Sequence, residues 1–189
     1  MNRFTPKTLV LFVVLLSISA LVAVGNVPQT AKTETGKLLQ LTGEVTVNGA
    51  KAASGATISS GSGVTTAQRS SAVVSLGKLG RVEVLPQSTM KLNFADDKVS
   101  VEMLDAGRVR ISSSSNINAS ATTNDGHVIA TGNQRNEFIV DTSCGNTFVS
   151  VKKGRVELRV GNEDNAVKQI AAGGQDTAGT ARPGCTPQP

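Results

Sequence analysis

Side chains that could support nucleophilic or redox chemistry are few in this chain of 189 residues. Cys144 and Cys185 are the only cysteines, and His127 is the only histidine. A catalytic pair of serine or cysteine with histidine would have to be built on His127, whose neighbours Gly126 and Val128 are typical of a surface turn or strand edge. Two cysteines and one distant histidine do not supply the four closely spaced ligands of a structural zinc site. The sequence therefore predicts no catalytic residue, no metal and no cofactor, and a protein that is not an enzyme; a small hydrolase built on His127 is the contrasting hypothesis.

The N-terminal segment predicts export. Residues 9–25 form an uncharged apolar run behind a start that carries only Arg3 and Lys7, which is typical of a secretory signal with cleavage after Gly25. The same run is also just long enough to cross a bilayer as an uncleaved anchor. Both interpretations of residues 1–25 place the rest of the chain outside the cytoplasm, in the periplasm or at the cell surface.

The predicted location outside the cytoplasm favours a disulfide between the two cysteines. An even number of cysteines in an exported chain predicts a disulfide between Cys144 and Cys185, with two free thiols as the alternative. In the chain-entropy model, a bridge that spans 41 positions stabilises the fold by about 4 kcal/mol.

The charge balance and the aromatic content of the chain limit the classes of partner that it is expected to bind. Without Arg3 and Lys7 the chain keeps 17 basic and 14 acidic residues, a balance too even to indicate nucleic acid. The chain has no Trp and no Tyr, which disfavours ligands held by ring stacking. An envelope protein or an anionic envelope polymer is the expected partner, with the membrane added through residues 9–25 if the leader is uncleaved.

The hydropathy pattern predicts a β protein. Apolar and polar residues alternate along several short segments that turn residues interrupt, and no convincing amphipathic helix follows residue 26. The expected fold is a single all-β domain, mainly an antiparallel sandwich or flattened β-roll, with an irregular β-solenoid as the alternative, after an N-terminal hydrophobic helix. Ser71–Leu76 and Phe138–Val140 are more continuously apolar, so we expect burial on both faces there. Asp96 and Asp97 predict a hairpin turn.

A glycine opens four similar strand units, beginning at Gly43, Gly80, Gly107 and Gly154. We expect a positive φ to let the chain turn into each strand at these glycines. The spacings of 37, 27 and 47 residues are unequal, which argues against a solenoid repeat of fixed period.

The composition of the segments between and after the predicted strands predicts the domain organisation. Residues 112–124 are rich in Ser, Asn, Ala and Thr, which suggests a long exposed loop. The tail should be extended and largely unordered, anchored by Cys185. The predicted divisions are a signal peptide or anchor at 1–25, a linker at 26–37, the β domain at 38–178 and the extended tail at 179–189.

Basic residues on two predicted strands suggest a docking surface. Arg155 and Arg159 share one face of their strand, and Arg108 and Arg110 share one face of another. If the two strands were neighbours, these residues would form a basic stripe for an anionic polymer or an acidic protein surface. In the alternative interpretation, Glu157 neutralises its neighbours and the surface is ordinary solvated surface. The candidate partner-binding residues are Arg108, Arg110, Lys152, Lys153, Arg155 and Arg159.

From Leu41 to about Ala178 the chain resembles a FecR domain, the extracytoplasmic β domain named after a bacterial ferric-citrate signalling regulator. The matching motifs keep the family's order over about 135 residues. They are Gly43–Gly49, Ala53–Ile58, Gly61–Thr66, Ser71–Leu76, Val82–Ser88 and Leu104–Val109, followed more loosely by Val128–Thr131, Asn136–Val140 and Gly154–Val156.

The departures from the family narrow what this resemblance implies. Signalling members carry a cytoplasmic region that contacts a sigma factor, whereas only residues 1–7 could be cytoplasmic here. Gly77–Leu79 replaces an expected aspartate, and Asn136 and Glu137 stand where the family often has Gly-Thr. The resemblance therefore implies a stand-alone envelope domain, a non-catalytic protein-interaction or structural module. A component of transmembrane signalling and a binder of an anionic envelope polymer are the alternatives.

Overall fold

A computed structural model describes residues 35–130, 132–161 and 166–188. The predicted leader at 1–25 lies outside the described residues. In the part of the chain that is described, no helix has the length and apolar character that crossing a membrane would require. The one helical turn within these ranges is a 3-10 turn at Gly77–Leu79.

The described residues form seventeen strands, numbered β1 to β17 in chain order, in two sheets. The eight-stranded sheet has the order β17 (Gln175–Ala178), β14 (Thr147–Lys153), β13 (Asn136–Asp141), β10 (Arg108–Ser113), β7 (Gly80–Val84), β6 (Ser71–Ser75), β1 (Thr35–Thr42) and β4 (Thr57–Ser59). The nine-stranded sheet has the order β16 (Val167–Ala171), β15 (Arg155–Val160), β12 (Gly126–Ala130), β11 (Asn118–Thr122), β9 (Lys98–Met103), β8 (Ser88–Ala95), β5 (Ser62–Thr66), β2 (Val45–Val47) and β3 (Ala50–Lys51).

The predicted all-β, mainly antiparallel class is confirmed. Successive parts of the chain enter the two sheets in turn. Within each sheet, the strands lie side by side almost in the order in which they occur in the sequence. Neighbouring strands pair antiparallel except for β9 and β11, which pair parallel. The reason is that β10, the strand between them in the chain, lies in the other sheet, so the chain reverses twice before β11 begins.

The core is aliphatic, as the composition predicts. In β10, Val109 and Ile111 are fully buried while Arg108 and Arg110 lie on the outer face, the alternation expected of a strand with one face on a core. Inward side chains of both sheets belong to one hydrophobic cluster. Phe138 is the largest fully buried side chain in the described ranges.

Three local expectations were wrong or incomplete. The segment 112–124 is not a long loop, because it contains β11. Ala119 and Ala121 point into the core there, and such small residues give a weak hydropathy signal. Ser71–Leu76 and Phe138–Val140 bury one face, while the outward residues remain half-buried, because each sheet packs on a core on only one side.

The first and last strands of the eight-stranded sheet can be compared with the predicted divisions of the chain. Strand β1 begins at Thr35, inside the linker expected at 26–37, and β17 ends at Ala178. The hairpin predicted at Asp96 and Asp97 joins β8 to β9. Positive φ occurs at three of the four strand-opening glycines, Gly107 being the exception.

The tail is more firmly attached than expected. The disulfide between Cys144 and Cys185 is present, as predicted. In addition, the Arg182 amide donates to Cys144 O at 2.9 Å, and the Gln188 amide donates to the buried carboxylate of Asp141 at 3.2 Å. The tail therefore closes over the end of β13 through several contacts, and no pattern in the sequence marks where they form.

An ion pair joins the two sheets at one edge of the sandwich. Lys168 Nζ of β16 lies 2.7 Å from Asp176 Oδ1 of β17 and donates to Thr177 O at 2.8 Å. The hydrogen bond from Lys168 lowers the pKa of Asp176 below its ordinary value. Since both side chains are 39% exposed, solvent screening keeps the contribution small.

We expect Asp176→Asn to lower the free energy of unfolding at pH 7 by about 0.5 kcal/mol. Because the folded-state pKa is depressed, the contribution of the carboxylate is present above the unfolded pKa of about 3.9 and is lost as pH falls through the folded value. Urea unfolding of both proteins between pH 2 and 7 measures the difference. Asp96→Asn, at an exposed hairpin carboxylate, is the control. A difference that grows on acidification would contradict the prediction.

Candidate functional site

The six predicted basic residues divide between the two sheets. Arg108, Arg110, Lys152 and Lys153 lie on the eight-stranded sheet, and Arg155 and Arg159 lie on β15 of the nine-stranded sheet. Strands β10 and β15 are therefore not neighbours. The basic stripe that depended on their adjacency does not form, because β10 pairs with β7 and β13 while β15 pairs with β12 and β16.

Carboxylates lie against two of the predicted arginines. Arg110 Nη1 lies 2.6 Å from Glu83 Oε2 of β7, and Arg159 Nη2 lies 3.3 Å from Glu157 Oε2. Glu157 also accepts a hydrogen bond from Gln169 at 2.8 Å. The hydrogen bonds from Gln169 and Arg159 lower the pKa of Glu157. At Arg159 the structure thus agrees with the interpretation in which Glu157 neutralises its neighbours.

Lys152 and Lys153 are both exposed although they are consecutive residues of a strand. The register of β13 and β14 shifts between Glu137 and Phe138, which leaves Lys152 as the extra residue of a β-bulge. Lys152 Nζ lies 3.3 Å from Glu137 Oε1 on the outer face. The bulge thereby exposes both lysines, whereas regular alternation would expose only one of them.

Lys153 lines a groove of about 350 Å³ at one end of the eight-stranded sheet. We call it the basic groove; its lining includes Arg81, Ser112, Ser113, Arg135, Glu137 and Lys153. The lining carries three cations against one carboxylate, and that carboxylate already pairs with Lys152. Within the described ranges, no ion pair engages the three cations. The groove therefore concentrates uncompensated positive charge.

Two serine hydroxyls in the lining also lack partners. The Oγ atoms of Ser112 and Ser113 are buried and make no hydrogen bond with any described residue. A buried hydroxyl without a partner costs about 1–3 kcal/mol. Such atoms are few in native proteins, and a bound water or ion is one explanation for them.

Asn136 holds the end of the groove together. Its Oδ1 accepts the Arg155 amide at 3.1 Å and its Nδ2 donates to Gln134 O at 3.0 Å, so the loop before β13 is tied to the turn between β14 and β15. Gly154, in that turn, has φ +81°, and a side chain there would overlap Asn136 Oδ1. This turn brings Arg135 and Lys153 to the same end of the sheet.

Sequence reasoning found Lys153 but missed Arg81 and Arg135. Arg81 follows Gly80 just as Arg108 follows Gly107 and Arg155 follows Gly154, so the repeated Gly-Arg pair was an available signal. Arg135 lies between strands, and no pattern in the sequence marks it.

A second depression, of about 290 Å³, lies at the opposite end of the sheet, beside the disulfide-held tail. Asp105, Asp125 and Arg182 line it. Both carboxylates already accept hydrogen bonds, Asp105 from the Ala106 amide at 2.7 Å and Asp125 from Thr147 Oγ1 at 3.2 Å. In the part of the chain that the structure describes, no cluster of three or more His, Cys, Asp or Glu residues could hold a metal.

His127 lies exposed on β12, where Nδ1 is 3.2 Å from Thr122 Oγ1. This agrees with a surface histidine, although β12 is an interior strand of its sheet and not an edge.

The fold and the groove define a two-sheet β protein with a disulfide-held tail and a basic groove on one sheet. Comparison of the sequence with models of known protein families and with curated proteins returned no match.

Proposed function

We propose that this chain is an exported, FecR-like envelope domain that acts as a non-catalytic binding module and holds an anionic envelope polymer in the basic groove. The observation that carries the proposal is the set of three cations, Arg81, Arg135 and Lys153, gathered without carboxylate partners in one groove. Uncompensated positive charge in a concave surface attracts and retains polyanions.

The scarcity of exposed apolar side chains favours a polymer over a protein surface. Protein interfaces usually centre on buried aromatic or aliphatic anchors, and this chain has no Trp and no Tyr. In the described ranges the exposed large hydrophobic residues are Leu39, Leu104 and Val167, and of these only Leu39 lines the groove. A charged polymer does not require such an anchor.

The outer face of the sheet offers a path longer than one binding unit. A depression of about 280 Å³, lined by Arg110, Ile139 and Lys152 among others, shares Glu137 with the basic groove. A chain-like ligand seated in the groove could therefore continue along the same face. The disulfide, in which Cys144 is buried and Cys185 is partly exposed, supports an extracytoplasmic location, because such bridges persist in oxidising compartments. The order of FecR-like motifs supports the assignment to the envelope.

The proposal is tested by co-sedimentation of the purified protein with an envelope polymer fraction freed of protein by protease. We expect wild-type protein to sediment with the polymer and to be released as salt rises. The variant Arg81→Glu/Arg135→Glu/Lys153→Glu should lose at least tenfold in affinity, since three attractions become repulsions.

The matched control is Lys51→Glu/Lys91→Glu/Lys98→Glu, which changes the net charge equally at exposed lysines of the nine-stranded sheet. It should retain most of the binding. The proposal fails if both triple variants bind alike, or if binding is found only with fractions that still contain protein, which would indicate a protein partner.

A further inference from the structure

Strand register places five polar residues in one row across the eight-stranded sheet. Ser75 pairs with Arg81, Arg81 with Ser112, Ser112 with Glu137, and Glu137 with Lys153. Directly paired residues on neighbouring strands share a face of the sheet. All five therefore lie on the outer face and line the same groove.

The row sets the width of the site. Arg81 and Lys153 lie on strands three positions apart, about 14 Å between backbones at the usual strand spacing. Both side chains are long enough to reach the space above Ser112 from opposite sides. Arg135 contributes a second guanidinium from the loop before β13. Three cations can thus approach one anion from three directions.

Ser112 adds a neutral donor to these charges, whereas Ser113, the next residue of β10, lies on the inward face of the strand. Ser112 lines the groove, and its hydroxyl oxygen lacks a hydrogen-bond partner in the described structure. Ser112 is half-exposed, so rotation about χ1 would bring its hydroxyl to an anion in the groove. Guanidinium groups match oxyanions bidentately, and hydroxyls complete the remaining acceptor positions.

We propose that the basic groove binds a tetrahedral oxyanion of the kind carried by a phosphate or sulfate ester; this rests on the proposed function, because it names the charged group of the anionic polymer. A tetrahedral anion offers three peripheral oxygens to donors arriving from several sides. A carboxylate offers two oxygens in one plane and would leave part of this donor set unused.

The test measures binding of methyl phosphate, methyl sulfate and acetate to the full chain by calorimetric titration at constant ionic strength. Methyl phosphate or methyl sulfate should bind at least tenfold more tightly than acetate, and the tighter of the two identifies the ester. Arg135→Gln should weaken that binding about tenfold, and Ser112→Ala several-fold, as expected for charged and neutral hydrogen bonds. Lys91→Gln and Ser100→Ala, on the nine-stranded sheet, are the matched controls and should bind as wild type.

The free energy of unfolding distinguishes a role of Ser112 in binding from a role in stability. Since Ser112→Ala removes a buried hydroxyl that has no partner, the variant should be as stable as wild type or more stable without ligand. Equal affinity for acetate, absence of binding, or unchanged binding in the groove variants would overturn the inference. If the polymer binds and depends on the groove cations while the ester anions do not bind, the inference fails and the proposed function stands.

Discussion

Replacement of Gly80 by alanine is expected to lower the free energy of unfolding by about 4 kcal/mol. Gly80 opens β7 with φ +127° and ψ −143°, close to a region of backbone space that is populated essentially by glycine. A Cβ at this position would overlap the carbonyl oxygen of Ser112 on the neighbouring strand. That oxygen belongs to the backbone of the sheet, so the overlap is relieved only if β7 and β10 separate.

Gly77 provides a matched control in the same connection. It also has a positive φ, +61°, but a Cβ there would meet no atom within 4 Å. Gly77→Ala therefore carries only the left-handed backbone cost, about 1 kcal/mol. Urea unfolding followed by circular dichroism measures both variants, because the chain lacks Trp and Tyr for fluorescence. Equal losses for the two variants would show that the close approach of Gly80 to β10 is not what destabilises the protein.

Removal of the disulfide by Cys144→Ala/Cys185→Ala should cost about 4 kcal/mol in the chain-entropy model. The bridge closes 41 positions of sequence and holds the tail over the end of β13. Without it, the Gln188 amide no longer has a fixed position beside Asp141, a carboxylate that is 2% exposed. Loss of the tail would return this charge to solvent.

Denaturant unfolding of oxidised wild type, reduced wild type and the double variant measures this contribution. Reduction should bring wild type to the stability of the variant and should leave the variant unchanged. A loss below about 1 kcal/mol would mean that the remaining tail contacts hold it in place without the covalent link. The basic groove lies at the opposite end of β10 and β13, so oxyanion binding by the folded variant should persist.

The candidate site was predictable from the sequence only in part. The lysine pair at 152 and 153 was recognised as basic, but alternation predicts that one of the two points inward. The bulge opposite Glu137 exposes both. Arg81 and Arg135 join Lys153 only through strand register and loop position, and they are separated from it by 72 and 18 residues in the chain. No local pattern encodes such a grouping.

The sequence by itself determined the β character, the hairpin at Asp96, the cysteine pair and the aliphatic core. These depend on local geometry and composition: side chains alternate wherever a strand forms, and two cysteines leave one possible pairing. Only the tertiary structure decided that β10 and β15 lie in different sheets and that β11 is a strand. Many antiparallel pairings satisfy the same local pattern, and the choice among them depends on how both sheets bury their inward faces in one shared core.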